Sequence, residues 1–169
     1  MRTAFLYDGS KLERRLGRIK RERELSLFDH SEIAFPVSKY DFEEALIISN
    51  EIGLLLECID YTSASNTYLN LREKLREIRF ILTYVYSNEF QYGSYTDGVD
   101  IEEAYQYQTF CNSMRERDVR DNFISELPSK WQEILGDFAK LQDKEPEGVQ
   151  CFIPYISKVM PIVNKIASK

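Results

Sequence analysis

The chain has 169 residues, a length that fits one domain and buries a core without disulfide or metal staples. Its hydrophobic fraction of 43% and charged fraction of 30% are those of a globular protein, and seven Gly and five Pro exclude collagen-like and low-complexity chains. The formal charge is −6; Cys58, Cys111 and Cys151 form no CxxC and have no histidine nearby, which argues against a zinc site or disulfide framework and for a reducing, cytoplasmic compartment.

The first residues, MRTAFLYDGS, lack the apolar run of a signal peptide. Thr3–Tyr7 and Glu32–Val37 have room for short strands or a small hairpin. Ser10-Lys-Leu-Glu13 reads as a capping box, whose hydroxyl and carboxylate satisfy the first free amides of a helix. A first helix over 11–27 follows, with Leu12, Leu16 and Ile19 on one face.

A second helix over 39–61 is apolar on most sides (Phe42, Leu46, Ile48, Ile52, Leu55, Leu56, Ile59) and reads as the buried centre. A third, over 66–90, carries Tyr68, Leu71, Leu75, Ile78, Leu82 and Val85 in alternating steps of three and four, the seam of a helix packed on neighbours. A fourth starts near Ile101, carries Ala104, Tyr107, Cys111 and Met114, and is expected to run on to about Glu126. Ser129 after Pro128 is the expected start of a fifth helix over 130–142, with Trp131, Ile134, Leu135, Phe138 and Leu141 on one face. A last helix over 152–167 has Pro154 in its first turn and Pro161 inside, where a proline kinks or breaks a helix.

The expected fold is therefore all-α, a single-domain bundle of five to six helices over 1–169. It divides into a basic helix and extended segment in 1–37, a helical core in 38–142 and a C-terminal helix in 150–169 kinked at Pro161. No apolar stretch approaches the roughly 20 residues of a membrane span, so no membrane partner is expected.

Charge is segregated. Residues 1–24 hold eight Lys/Arg and four Asp/Glu, whereas no Lys or Arg lies between Tyr40 and Leu71 or between Phe80 and Met114. On the first helix Lys11, Arg14, Arg15, Arg18 and Arg21 cluster opposite the apolar face, and on the third Arg72, Arg76 and Arg79 form a shorter ridge. Such ridges contact phosphates or an acidic partner, or are simply solvated faces partly neutralised by Glu13, Glu22, Glu24, Glu73 and Glu77. The tract from Phe80 to Met114 is the opposite surface. It is acidic and holds Tyr84, Tyr86, Tyr92, Tyr95, Tyr105 and Tyr107, a composition suited to protein docking or, for half the rings, to the core.

Catalytic patterns are sparse. Asp97, Asp100, Glu102 and Glu103 do not have the spacing of an EF-hand, and adjacent carboxylates such as Glu43 and Glu44 diverge on a helix. No Gly-rich phosphate loop occurs, and neither cofactor, metal nor small-molecule substrate is expected. His30 is the only histidine. Arg23 and His30, with six residues between them, resemble in spacing the Arg–His motif of the helical HEPN ribonucleases. That resemblance covers two residues and implies a ribonuclease acting across a dimer, although in that family the motif sits at a later helix.

The expected role is non-catalytic: a small helical subunit of a larger assembly, with a basic first helix toward an RNA or DNA backbone and a Tyr-rich corner toward protein subunits. In general design this resembles the small helical subunits of CRISPR-type ribonucleoprotein complexes, a likeness of fold without a motif. The alternative is a stand-alone inhibitor or adaptor of viral or mobile-element origin that binds a protein.

Overall fold

A computed structural model describes residues 10–26, 37–57, 66–90, 101–144 and 153–168. The described residues are helical almost throughout: α1 (Ser10–Leu25), α2 (Lys39–Glu57), α3 (Asn66–Phe90), α4 (Ile101–Ser113), α5 (Arg117–Lys144) and α6 (Ile153–Ala167). The expected strands at 3–7 and 32–37 lie outside the described residues except for Val37, a buried residue in a bend before α2.

Four helices close a ring. α2 packs on α3, α3 on α5, α5 on α6, and α6 back on α2. Neighbours run antiparallel. Phe42 at the start of α2 meets Phe90 at the end of α3, ring centroids 5.5 Å apart. Lys74 early in α3 reaches Asp137 late in α5 at 2.9 Å. Trp131 Nε1 donates to the Ile156 carbonyl of α6 at 3.3 Å. This is an up-down-up-down arrangement in which α4 lies within the connection from α3 to α5. The 3-4 stripe of α3 faces its centre: Leu71, Leu75, Ile78, Leu82 and Val85 are all buried. Against them lie Phe42, Ile48, Ile52, Leu55 and Leu56 of α2, Leu127, Trp131, Ile134 and Phe138 of α5, and Val159, Val163 and Ile166 of α6.

Two helices ride outside the ring. α1 lies antiparallel on α2 and buries only Leu12 and Ile19 completely, with Leu16 packed beside them. Its Ser10 start is where the capping signal places it. α4 leans on α3 and buries none of its residues completely.

The fourth and fifth helices differ from expectation. α4 ends at Ser113 instead of running to 126, and α5 begins at Arg117 and passes through Pro128. Helical phase explains the break. Phe110 and Met114 face inward on one side, but the nine residues from Met114 to Phe123 would bring Phe123 about half a turn out of phase in a continuous helix. A tight turn resets the phase: Arg115 N donates to the Asn112 carbonyl and Glu116 N to that of Ser113. Met114, fully buried, anchors it. Pro128 is tolerated because Leu127 and Trp131 on either side of it are both fully buried, and their burial outweighs the roughly 3 kcal/mol a helix-interior proline costs. α6 likewise continues through exposed Pro161, held by Val159, Ile162 and Val163.

Candidate functional site

The basic residues of α1 divide into two sets. One faces α2, which carries five acidic residues against a single lysine. Arg15 Nη1 donates to Oε1 of Glu51, a carboxylate only 2% exposed, at 3.1 Å. Arg23 bridges Asp41 at 2.8 Å and Glu44 at 3.5 Å. Arg18 is intermediate: it reaches Glu43 at 2.7 Å and Glu22 at 2.8 Å, yet keeps 45% of its side chain in solvent. The hydrogen bond Arg18 donates to Glu43, then that to Glu22, raises the Arg18 pKa above its already high ordinary value.

The other set points outward. Lys11, Arg14 and Arg21 are exposed and have no ion-pair partner among the described residues. With Arg18 they follow steps of three, four and three along one side of the helix. The Arg21 guanidinium lies back along α1 over Gly17, where an added Cβ would be 3.6 Å from Nη1. Exposed Glu13 and Glu24 project about a quarter turn or more away from this stripe.

The α3 arginines do not make a matching outer ridge. Arg72, Arg76 and Arg79 are all half-buried. Arg76 pairs with Glu73 at 3.3 Å. Arg79, 17% exposed, runs past Gly53 of α2 to Glu103 of α4 at 3.2 Å. A Cβ at Gly53 would sit 2.9 Å from Arg79 Nη1, so the missing side chain makes room for this guanidinium. Further along α3, Lys74 bonds Asp137 and Glu133, which raises its pKa, the Asp137 hydrogen bond contributing most. Glu77 holds Lys130 of α5.

The tyrosines are mostly interior. Tyr86 is buried between Phe42 and Phe90. Tyr107 packs on Phe80 at 5.4 Å and stacks on Phe110, while Tyr84 meets Phe110 edge-on and Phe110 meets Phe123. These rings fasten α4 to α3 and α5. Cys111, beside them, has its thiol pKa pushed up by burial. Tyr92 and Tyr95 lie outside the described residues. Among the tyrosines whose side chains are described, Tyr105 stands out, 74% exposed, with Ile101 one turn earlier at 89%. Sequence reasoning passed over Ile101, although its i, i+4 spacing to Tyr105 marks a shared face.

A cleft of about 690 Å³ opens where the end of α3, the start of α5 and the end of α6 meet, lined in part by Tyr84, Asn88, Arg117, Arg120, Asp121 and Ile166. Arg117 and Arg120 both lie loosely against Asp121, at 3.8 and 3.9 Å. Among the described residues no group of His, Cys, Asp or Glu is placed to hold a metal ion, and no helix is long and apolar enough to cross a membrane. Arg23 is engaged by α2, and His30 lies outside the described residues. No protein-family profile, no curated protein and no solved structure matches this chain.

Proposed function

We propose that the chain is a non-catalytic binding subunit of a nucleoprotein assembly, in which the four-helix ring is a scaffold and the two outer helices make the contacts. The observation that carries this reading is the outward stripe of α1. Three exposed cations without ion-pair partners among the described residues, and a fourth only half covered, share one side of a helix whose opposite side is spent on packing. Cations that serve the fold sit on the other flank, against α2. Such a stripe meets a polyanion through several phosphates at once.

The test is elution of the full chain from immobilised nucleic acid. The variant Lys11→Glu, Arg14→Glu, Arg21→Glu should elute at clearly lower salt with unchanged helical circular dichroism. Arg15 is left out because its loss would disturb the α1–α2 contact. Equal elution of variant and wild type sinks the phosphate-facing role.

A second reading, a stand-alone protein-binding inhibitor or adaptor, is favoured by α4, which shows Ile101 and Tyr105 to solvent and has only acidic charges. Replacing both residues by Ser would then abolish partner capture and leave nucleic-acid elution alone.

A further inference from the structure

We infer that the polyanion fitted by the α1 stripe is B-form duplex DNA rather than a single strand, an inference that rests on the phosphate-facing reading above. Proteins that hold single strands pair a cationic groove with aromatic rings on which successive bases stack. α1 offers neither. From Ser10 to Leu25 it contains no Phe, Tyr or Trp. Of the described rings on α3 and α4, those of Phe80, Tyr84, Tyr86, Phe90, Tyr107 and Phe110 sit in the clusters around Phe42 and Phe110, and the exposed ring, Tyr105, is on α4, which packs on α3.

What α1 offers is convexity. It lies outside the ring and touches α2 through the face of Leu12, Leu16 and Ile19, so its other side stands proud of the bundle. A helix of this kind fits the major groove of B-form DNA, about 12 Å wide, but not the deep, narrow major groove of an RNA duplex. Lys11 to Arg21 spans about 15 Å of helix axis at 1.5 Å per residue, enough to reach several phosphates along one groove edge. Asp41 and Glu44 are balanced by Arg23 and Lys158, while Glu22 and Glu43 share Arg18 and leave one net negative charge, which the three exposed cations Lys11, Arg14 and Arg21 outnumber.

Fluorescence anisotropy of the full chain tests this with a labelled DNA duplex of twenty or so base pairs, its separated strand, an RNA duplex of the same sequence and a poly-glutamate peptide. The expected result is binding of the DNA duplex at least tenfold tighter than of the single strand or RNA duplex. With three phosphates neutralised, by Lys11, Arg14 and Arg21, affinity should fall roughly 40-fold between about 50 and 200 mM salt. The Lys11→Glu, Arg14→Glu, Arg21→Glu variant should lose this binding. Lys20→Glu, on another side of the same helix, should keep it. Equal or tighter binding of single strand or RNA duplex overturns the inference but leaves the phosphate reading standing. Capture of poly-glutamate with no nucleic acid bound overturns both. An equal loss in Lys20→Glu refutes the assignment to this face.

Discussion

Arg14 and Arg15 are adjacent, carry the same charge and belong to the same basic cluster in the sequence, yet the structure gives them opposite roles. Arg14 is exposed, and Arg15 holds the Glu51 carboxylate, which is 2% exposed inside the α1–α2 contact. Removing one partner of a fully buried pair costs about 3–5 kcal/mol because a charge is left desolvated. Arg15 keeps 38% of its side chain in solvent, and water can follow it inward, so about 2 kcal/mol is expected for Arg15→Ala. Arg14→Ala should cost less than about 0.5 kcal/mol, as surface substitutions do. In a chain of this size about 2 kcal/mol lowers the melting temperature by roughly 4–8 °C. Thermal unfolding followed by circular dichroism and by the fluorescence of the single tryptophan, Trp131, measures both. Adding Glu51→Gln to Arg15→Ala should return part of the loss, because a neutral amide tolerates burial without a cation. If the two arginine variants melt within a degree of each other, the division of α1 into a structural and a free set is wrong.

Other consequences concern single contacts. Gly53→Ala gains up to about 1 kcal/mol of helix propensity but pushes the Arg79 guanidinium off Glu103, so hydrogen exchange in α4 should quicken while that in α5 stays unchanged. Unchanged exchange in α4 would show that Arg79 does not tether it. Lys74 has a folded pKa above its unfolded value near about 10.4, so its pairing stabilises fully below that pH and fades as pH rises through the folded value. Lys74→Met should therefore show a smaller drop in urea midpoint than wild type between about pH 9 and 11; parallel curves would count against this. Burial raises the Cys111 thiol, so peptide-resolved mass spectrometry should find it alkylated more slowly at about pH 8 in the folded chain than in urea, and equal rates would contradict its packing beside Tyr107.

The fold was legible where periodicity was strong. α3 starts and ends where the 3-4 stripe and its neighbours place it, and the buried centre of α2 follows from apolar residues on nearly every side. The break after Ser113 was not, because the charged run Arg115–Asp121 suits a helix at every position. Only the phase mismatch between Phe110 and Phe123 requires a turn, and that depends on which sides face the bundle. Pro128 misled in the opposite way. A local rule stops a helix there, and the packing of Leu127 and Trp131 overrides it.

Charge segregation was visible as composition, but its use was not. The excess of Lys/Arg in α1, seven against three Glu, is cancelled by an equal acidic excess in α2, five acids against Lys39. The stretch from Tyr40 to Leu71 without a cation held this clue, since an acidic helix that follows a basic one in the chain has a complementary face to fold against. The two helices together are thus neutral, and a basic segment need not be a basic surface. What remains for a partner depends on angle around α1: the flank toward α2 is consumed by the fold, and the side with Lys11, Arg14, Arg18 and Arg21 is left to solvent. The same logic holds for the described part of the tyrosine-rich tract. The rings of Phe80, Tyr84, Tyr107 and Phe110 fasten α4 to the bundle, and only Ile101 and Tyr105 face out among the apolar residues of that helix. In α4 the residues that most resemble a site by composition mostly serve attachment; in α1 Arg15, Arg23 and part of Arg18 do, and a partner is left the side with Lys11, Arg14 and Arg21.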